Sequence, residues 1–320
     1  MGYATEHDVL LIAGKQAGFG VVAAAGRVVP IAKGGQGPTH DRNKIANDGR
    51  YQDGHRRPFA LGNHKSGVDE PLVPNLDYVG YPLYGFLGQF TDAVAGPLNS
   101  HAGILGKNII YYTHEESYGN GDFYQYFDNV YSEYSFEFSN EGIYKPTFKS
   151  AGSGKLVKAV ASFDAAADEV AGRPVEMINW ATLIDAEVED AGVVSKLSCT
   201  AKREIIEVRP SGANGLCKAL KVGELTVDGT ITILFTNDTY WEKARNGTKM
   251  KVKATVTRGE AAGTYSIEHL FSEMFLVPSA PKKQSGQVVS QDFTFESDVE
   301  SDANSPLKIT LINGTVTHNA

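Results

Sequence analysis

The sequence is poor in cysteine, with only Cys199 and Cys217 in 320 residues. Two cysteines are too few for a disulfide framework or for a cysteine-based metal cluster. They either form one bridge or remain two buried thiols, and we favour the second interpretation.

Basic residues are also in short supply. Lys and Arg total 30 against 38 Asp and Glu, which gives a net charge of −8. Tight binding to nucleic acid comes largely from Lys and Arg side chains that neutralise phosphates, so this chain is a poor candidate for a DNA-binding protein. An acidic surface would instead suit a wall that DNA passes without sticking.

Long apolar runs are lacking as well. No run approaches the roughly 18 residues that a membrane-spanning helix needs. The first residues, MGYATEHDVLLIAG, carry Glu6 and Asp8 where a secretory signal would carry basic residues. We therefore expect no membrane anchor and a protein that is made and folded in the reducing cytoplasm of its host.

Signatures of catalysis are missing too. The eight histidines show neither the i, i+4 nor the His-x-His spacing of a metal site, and no Gly-x-Ser-x-Gly motif occurs. The glycines of VLLIAGKQAGFG (9–20) fit a dinucleotide fold only if alternating strands and helices follow, and none do. We expect no enzyme, no cofactor and no metal.

Amphipathic strands are what the sequence does contain. In VYSEYSFEFSNEG (130–142), apolar and polar residues alternate with the period of a half-buried strand. The pattern predicts that Tyr134, Phe136 and Phe138 face the core while Glu133, Ser135 and Glu137 face water. A similar stretch, LFSEMFLVPS (270–279), recurs about 140 residues later and places Glu273 where the first copy has Glu133.

The two halves of the chain show a related order of elements. Each has strands and one short helix, followed by a polar strand, the amphipathic strand and a closing strand. The first helix is expected within 77–95, with Asp77 as a candidate cap, and the second within 238–247, between Asp238 and Gly247. Asp228-Gly229 predicts a turn between two strands. The sequence predicts a mainly β protein of two tandem β domains, residues 1–152 and 153–320.

A long polar segment, residues 33–76, interrupts the first predicted domain. It is rich in Gly, Asn, Asp, His and Arg and has no sustained periodicity. Loops of this length are normally functional or disordered. It is either a floppy insertion or, as we favour, an arm that becomes ordered against a neighbouring subunit by burying Phe59, Leu61, Leu72 and Val73.

Taken in order, these segments resemble the tail tube proteins (major tail proteins) of long-tailed phages. The resemblance rests on the glycine-bearing first strand, the segment DRNKIANDGRYQDGHRR, the helix around GYPLYGFLG and the strands NIIYYTHEESYGNGDFYQYF and VYSEYSFEFSNEGIYKPTFKSAG. In the second half it rests on GELTVDGTITILF, DTYWEKARNG and GQVVSQDFTFES. It implies two tube-type β-sandwich or barrel-wall domains whose sheets join those of neighbouring subunits into stacked rings that form a hollow tube.

The resemblance also implies partners and roles. Tail tubes have six-fold rings, so a chain with two tube domains should form them from three copies. The other partners would be the tape measure, terminator and baseplate proteins, with viral DNA passing through unbound. We expect Glu133, Glu137 and Glu273 to line the lumen and the arm to contact the next ring. The residues expected at that contact are Arg42, Arg50, Arg56, Arg57 and Phe59.

Two other classes of function stay open at this point. One is a different phage structural protein, such as a baseplate hub or a decoration protein, which would form a cap or disc that does not polymerise. The other is an enzyme or ligand-binding β protein, which would show a concave pocket with convergent polar groups.

Overall fold

The chain folds mainly into antiparallel β-strands. The computed structural model describes residues 9–32, 37–45, 60–119, 121–170, 172, 174–185, 194–234, 238–260, 263–277, 289–299, 305–316 and 318. Within these residues there are seventeen strands, two α-helices and a 3₁₀ turn at Met177–Asn179. Neither α-helix has the length and apolarity needed to cross a membrane.

The elements follow one another with few helical interruptions. In the first half they are β1 (Leu10–Lys15), β2 (Arg27–Val28), β3 (Pro38–Ile45), β4 (Ala60–Pro71), α1 (Leu76–Leu87), β5 (Gly88–Ala95), β6 (Leu98–Leu105), β7 (Tyr112–Ser117), β8 (Phe123–Ser139), β9 (Thr147–Gly152) and β10 (Leu156–Ala159). In the second half they are β11 (Trp180–Ile184), β12 (Val194–Val208), β13 (Ala219–Leu234), α2 (Thr239–Arg245), β14 (Met250–Glu260), β15 (Gly263–Val277), β16 (Ser290–Asp298) and β17 (Leu307–Asn313).

One sheet, which we call the long sheet, runs through both halves of the chain. Its strands are hydrogen-bonded in the order β3-β4-β9-β8-β12-β13-β16-β15, each antiparallel to its neighbour. The joint between the halves is β8 with β12, where Phe136 lies opposite Cys199. This sheet supplies one wall of the core.

Two shorter sheets combine the remaining strands with parts of β8 and β15. The first short sheet has the order β1-β7-β8-β10, and the second has the order β11-β14-β15-β17. The hairpin β5–β6 extends the second short sheet through the pairing of β6 with β17. The strands β8 and β15 therefore each belong to a short sheet at their start and to the long sheet at their end.

A left-handed residue marks the place where β8 changes sheets. Asp128 has φ +58°, an unusual conformation for a residue with a side chain. Its carboxylate accepts a hydrogen bond from the Gly20 N–H at 2.5 Å and another from the Ser153 hydroxyl at 2.7 Å. These two bonds hold the bend between the short sheet and the long sheet.

Helix α1 lies almost wholly in the core. Asn75 caps its start by accepting a hydrogen bond from the Tyr78 N–H at 2.8 Å, and Gly88, at φ +76°, ends it in the left-handed region. The predicted cap, Asp77, is wrong, because that residue lies inside the first turn. Pro82 also lies inside the helix.

Two further expectations about elements need correction. Residues 33–76 are not one irregular loop, since β3 and β4 pair there and β4 also pairs with β9. Asp228-Gly229 is not a turn, since both residues lie inside the continuous strand β13. A Cβ on Gly229 would collide with the Ser198 carbonyl oxygen and the Phe295 ring, so this glycine permits close packing of strands.

The core includes residues of both halves in one contiguous cluster, from Leu11 on β1 to Leu311 on β17. The pairings β8–β12 and β6–β17 cross the predicted domain boundary at residue 152. The division into domains 1–152 and 153–320 stays a prediction. If it is correct, the two domains share a core and a sheet.

Candidate functional site: the polar face of the long sheet

Strand β8 separates apolar from polar side chains along its second half. Tyr134, Phe136 and Phe138 are buried, each at most 4% exposed, and they point into the core. Glu133 and Ser135 are half-buried and Glu137 is exposed, on the opposite side of the sheet. Because successive residues of a strand point to opposite faces, the same division continues into the neighbouring strands.

The apolar face packs against the second short sheet around a buried histidine. Tyr134 and His269 are stacked, and the Tyr134 hydroxyl lies 2.6 Å from His269 Nε2. Phe138 stacks on Trp180 of β11. Burial without a charged partner lowers the pKa of His269 to about 3, so the ring is neutral. Its Nε2 can therefore accept a hydrogen bond from the Tyr134 hydroxyl.

The opposite face of the long sheet, which we call the polar face, is rich in hydroxyl groups. Ser135 lies opposite Thr200, and Ser198 lies opposite Thr230, with their hydroxyls 2.7 Å apart. At the next strand, the Thr232 hydroxyl donates to Asp292 at 2.7 Å. Rows of short polar groups across β8, β12, β13 and β16 make this a wettable surface.

The three glutamates predicted to line a lumen all lie on or beside this face, and each has a lysine partner. Glu133 binds Lys149 at 2.7 Å and Glu137 binds Lys196 at 2.9 Å. The hydrogen bond to Glu133 raises the pKa of Lys149, which keeps that amine charged.

At the far edge of the sheet, Glu273 binds Lys249 at 2.8 Å. Sequence reasoning missed these lysines, because a cross-strand partner has no fixed spacing along the chain.

On the β13–β16–β15 side of the long sheet, some carboxylates lie directly opposite other carboxylates on the neighbouring strand. Asp228 lies opposite Glu296, and Glu273 lies opposite Asp298. Like charges directly opposite one another destabilise a sheet.

The arm is only partly described. Arg42, on β3, donates from Nε to the Gly62 carbonyl at 3.0 Å. Arg209, from the end of the β12–β13 hairpin, donates to the His64 carbonyl at 2.8 Å. The base of the β3–β4 hairpin is therefore tied to the second half of the chain. The other inter-ring candidates, Arg50, Arg56, Arg57 and Phe59, lie outside the described residues.

Features that would suggest chemistry are weak. A cleft of about 760 Å³ opens beside Trp180, but its charged residues, Lys253 and Glu268, bind each other at 3.1 Å. Across the described residues, no group of three or more His, Cys, Asp or Glu could hold a metal ion. Cys199 and Cys217 are free and buried, as we favoured, and burial raises the pKa of the Cys199 thiol.

The chain matches the model of a known protein family. A family model described as phage tail tube protein matches residues 7–297, which include nearly all of the long sheet. The chain belongs to the phage tail tube family. It is a structural protein of the bacteriophage virion, located in the tail, and it assembles with itself and with other tail proteins. A search of curated proteins found no match.

The two faces of the long sheet differ in the part of the chain that the structure describes. One surface is polar and stays in contact with water. The long sheet has one such surface and one surface committed to the core, which is the division that the alternation along β8 predicts.

Proposed function

We propose that this chain forms closed rings that stack into the hollow tail tube, with the polar face of the long sheet lining the channel for the viral genome. The observation that carries the proposal is the long sheet itself. Its eight strands present one buried face and one continuous face of hydroxyls, ion pairs and carboxylates. A sheet with these two faces is suited to be the wall of a barrel that continues from one subunit to the next.

Closure across subunits would also remove a hazard. Within the residues that the structure describes, β3 pairs with β4 alone, and its other edge has no strand partner among them. An open edge is a template for uncontrolled pairing, and a closed ring leaves none. We propose three chains per ring, in which the two halves of each chain act as two of six similar wall segments.

The charge of the polar face supports free passage of DNA. Three chains of net charge −8 give a ring a formal charge of −24. A carboxylate surface repels phosphates over about a Debye length, roughly 8 Å at physiological salt. The lysines bound to Glu133, Glu137 and Glu273 are held by those carboxylates and would compete poorly for phosphates. The genome would therefore slide without specific binding.

The remaining parts of the proposal concern location and partners. The chain would be made in the host cytoplasm and incorporated into the virion tail. Its partners there would be the tape measure protein inside the tube and the terminator and baseplate proteins at its ends. The arm, including Arg42, would contact the neighbouring ring.

Negative-stain images of the purified protein, taken over a series of concentrations, test the proposal. We expect rings at low concentration and tubes with a central channel at high concentration. Discs or caps that do not lengthen as concentration rises would instead favour a baseplate hub or decoration protein. Particles the size of a single chain at every concentration would contradict both.

A further inference from the structure

Four peptide bonds of this chain join asparagine to glycine, at 120–121, 214–215, 246–247 and 313–314. Such bonds are prone to spontaneous deamidation, in which the glycine nitrogen attacks the asparagine side chain. Glycine favours this reaction because it has no Cβ to obstruct the approach and because its backbone rotates freely. Asn120 lies outside the described residues. At the other three bonds the surroundings differ, and we therefore expect different rates at bonds with the same sequence.

The bond at 313–314 is held on both sides. Asn313, at the end of β17, is completely buried. Its Nδ2 donates to the Leu76 carbonyl at 2.8 Å, and its Oδ1 accepts from the Thr315 N–H at 3.1 Å. The nitrogen that would attack is also engaged, since the Gly314 N–H donates to Asp77 Oδ1 at 2.8 Å. Neither the amide nor the attacking nitrogen can move without breaking these bonds.

The bond at 214–215, in the turn between β12 and β13, is intermediate. Asn214 is exposed and has φ +51°. The carbonyl of Gly215, however, accepts from the His64 N–H at 3.0 Å and from Arg209 Nη1 at 2.5 Å. The Gly62 carbonyl oxygen also lies only 3.2 Å from the place that a Cβ on Gly215 would occupy. Water reaches this peptide, but the backbone has little freedom to rotate.

The bond at 246–247 is the least restrained of the three. Asn246 is exposed at the C-terminal end of α2, and among the described residues its side-chain amide has no hydrogen-bond partner. Gly247 has φ +61°, and no described atom lies within 4 Å of the place where a Cβ would be. Water therefore reaches the amide, and there is room for the backbone to rotate.

Few backbone bonds hold this end of α2 in place. The Gly247 N–H donates to the Ala244 carbonyl at 3.2 Å, and the Thr248 N–H donates to the Lys243 carbonyl at 2.9 Å. The helix, all of which is described, has seven residues, of which Ala244 alone is buried. A short helix held by little buried surface opens locally at a low cost in free energy. Opening lets the backbone of Asn246 turn until the glycine nitrogen meets Cγ.

We propose that Asn246 is a site of spontaneous modification, at which the side-chain amide is converted to a carboxylate through a cyclic imide. The Gly247 nitrogen loses its proton to water or hydroxide and bonds to Asn246 Cγ, while the Cγ–Nδ2 bond breaks and ammonia leaves. Water then opens the imide at either carbonyl. The products are aspartate and isoaspartate, so the net change is gain of water and loss of ammonia, with no oxidant or cofactor.

The modification should loosen the end of α2. Both products place a negative charge at the C-terminal end of a helix, where the helix dipole disfavours it. Isoaspartate also lengthens the main chain, which moves the Gly247 and Thr248 N–H groups away from their carbonyl partners. Lys249, which follows directly, binds Glu273 at 2.8 Å. The altered segment thus adjoins a lysine that holds one of the glutamates proposed to line the channel.

Ageing of the unmodified full-length protein tests the proposal. The protein is incubated at mildly alkaline pH, and peptide mass spectrometry with isoaspartate-specific methyl labelling follows each site. We expect Asn246 to react at least about tenfold faster than Asn313, because a protected amide reacts only through local opening. Asn214 should react at a rate between the two. In the aged protein, the amides of Gly247 and Thr248 should exchange hydrogen faster than in fresh protein.

Denaturing urea provides the matched control, because it removes the structure and leaves the sequence unchanged. All three sites should then react at similar rates. In the folded variant Asn246→Gln, which retains an amide but forms the imide far less readily, the product at 246 should disappear while the rate at Asn214 stays the same.

Three results would overturn the proposal. In the first, Asn246 stays unmodified in the folded protein. In the second, Asn214 or Asn313 reacts at least as fast there as Asn246. In the third, the ratio of rates in the folded protein persists in urea, which would show that the sequence around each bond, not the structure, sets the rates. These results do not depend on whether the protein forms tubes.

Discussion

At the scale of single residues, the account depends on which side of the long sheet each side chain occupies. Phe136 and Ser135 are neighbours on β8, yet Phe136 is 4% exposed in the core and Ser135 lies on the polar face. A charge introduced at one position is desolvated, whereas at the other it stays hydrated. The two positions therefore form a matched pair.

Phe136→Asp should lower the free energy of unfolding by about 4 kcal/mol or more, because an aromatic contact is lost and a carboxylate is buried. Ser135→Asp should change it by less than about 1 kcal/mol. Urea denaturation of both variants measures the difference. Equal effects at the two positions would mean that the polarity of β8 has been assigned to the wrong faces.

His269 should make the protein less stable in acid. Its pKa is about 3 when buried, whereas an unfolded histidine titrates near 6.5. Above about pH 6.5 both states are neutral and the group contributes no pH dependence. Below that pH only the unfolded state takes up the proton, so stability falls by up to about 1.4 kcal/mol per pH unit until pH 3.

His269→Gln should reduce this slope, measured by denaturation between pH 6.5 and pH 4. Tyr134→Phe is the control, because it removes the hydroxyl that contacts His269 but leaves the buried imidazole in place. It should lower stability at every pH and keep the slope. An unchanged slope in His269→Gln would show that this histidine does not cause the acid sensitivity.

At the scale of elements, the ends of α1 are fixed by specific hydrogen bonds. Asn75 accepts from the Tyr78 N–H at the start of the helix. Asn75 also donates from Nδ2 to the Val170 carbonyl at 2.7 Å. Asn75→Ala, which loses both bonds, should cost about 1 kcal/mol of stability or more, and Asn75→Ser, which loses that donor but retains an acceptor, should cost clearly less. Thermal unfolding of the two variants checks this. If both variants lose the same amount, the cap contributes nothing as an acceptor.

The end of α1 is held by an arginine from the other half of the chain. Arg203 on β12 donates to the Phe86 carbonyl at 3.0 Å and to the Gly106 carbonyl at 2.9 Å. Arg203→Lys cannot make both bonds in this planar geometry and should cost about 1.5–3 kcal/mol. Lys202→Arg, on the exposed face next to it, should change stability by less than about 0.5 kcal/mol. Equal stability of the two variants would show that the two Arg203 hydrogen bonds do not stabilise the end of α1.

Sequence patterns predicted some elements well because those patterns are local. The alternation along β8 depends only on adjacent residues, and it predicted the strand, its buried aromatics and its polar side. The cap of α1 was assigned to Asp77 instead of Asn75, which is within the usual error at helix ends. The second helix was expected within 238–247, and the structure has it at Thr239–Arg245.

Other features depend on distant residues, so no local pattern reveals them. The segment 33–76 was interpreted as a loop from its polar composition, although β4 pairs both with β3 and with β9, which lies about 80 residues further along the chain. Gly229 was interpreted as a turn residue, although its role is set by the Ser198 carbonyl on β12 and the Phe295 ring on β16, the two strands that flank β13. The lysine partners of the three glutamates are also distant in sequence from the glutamates they bind, so no local pattern predicts them.

At the scale of the whole molecule, the two halves of the chain contribute to one long sheet and to one core. The chain belongs to the phage tail tube family, and we propose that its two halves supply two wall segments of the tube. We propose that the polar face is the surface of a channel. The proposal depends on two claims: that the polar face is turned toward the channel, and that three chains form each ring.

A cryo-electron microscopy map of the assembled tube measures both claims at once. We predict three chains per ring, with the polar face of β8, β12, β13 and β16 turned inward and with Glu133, Glu137 and Glu273 in the channel wall. Six chains per ring would contradict the internal repeat. A polar face turned away from the channel, or a channel lined mainly by unpaired Lys and Arg, would contradict the proposed function of that face.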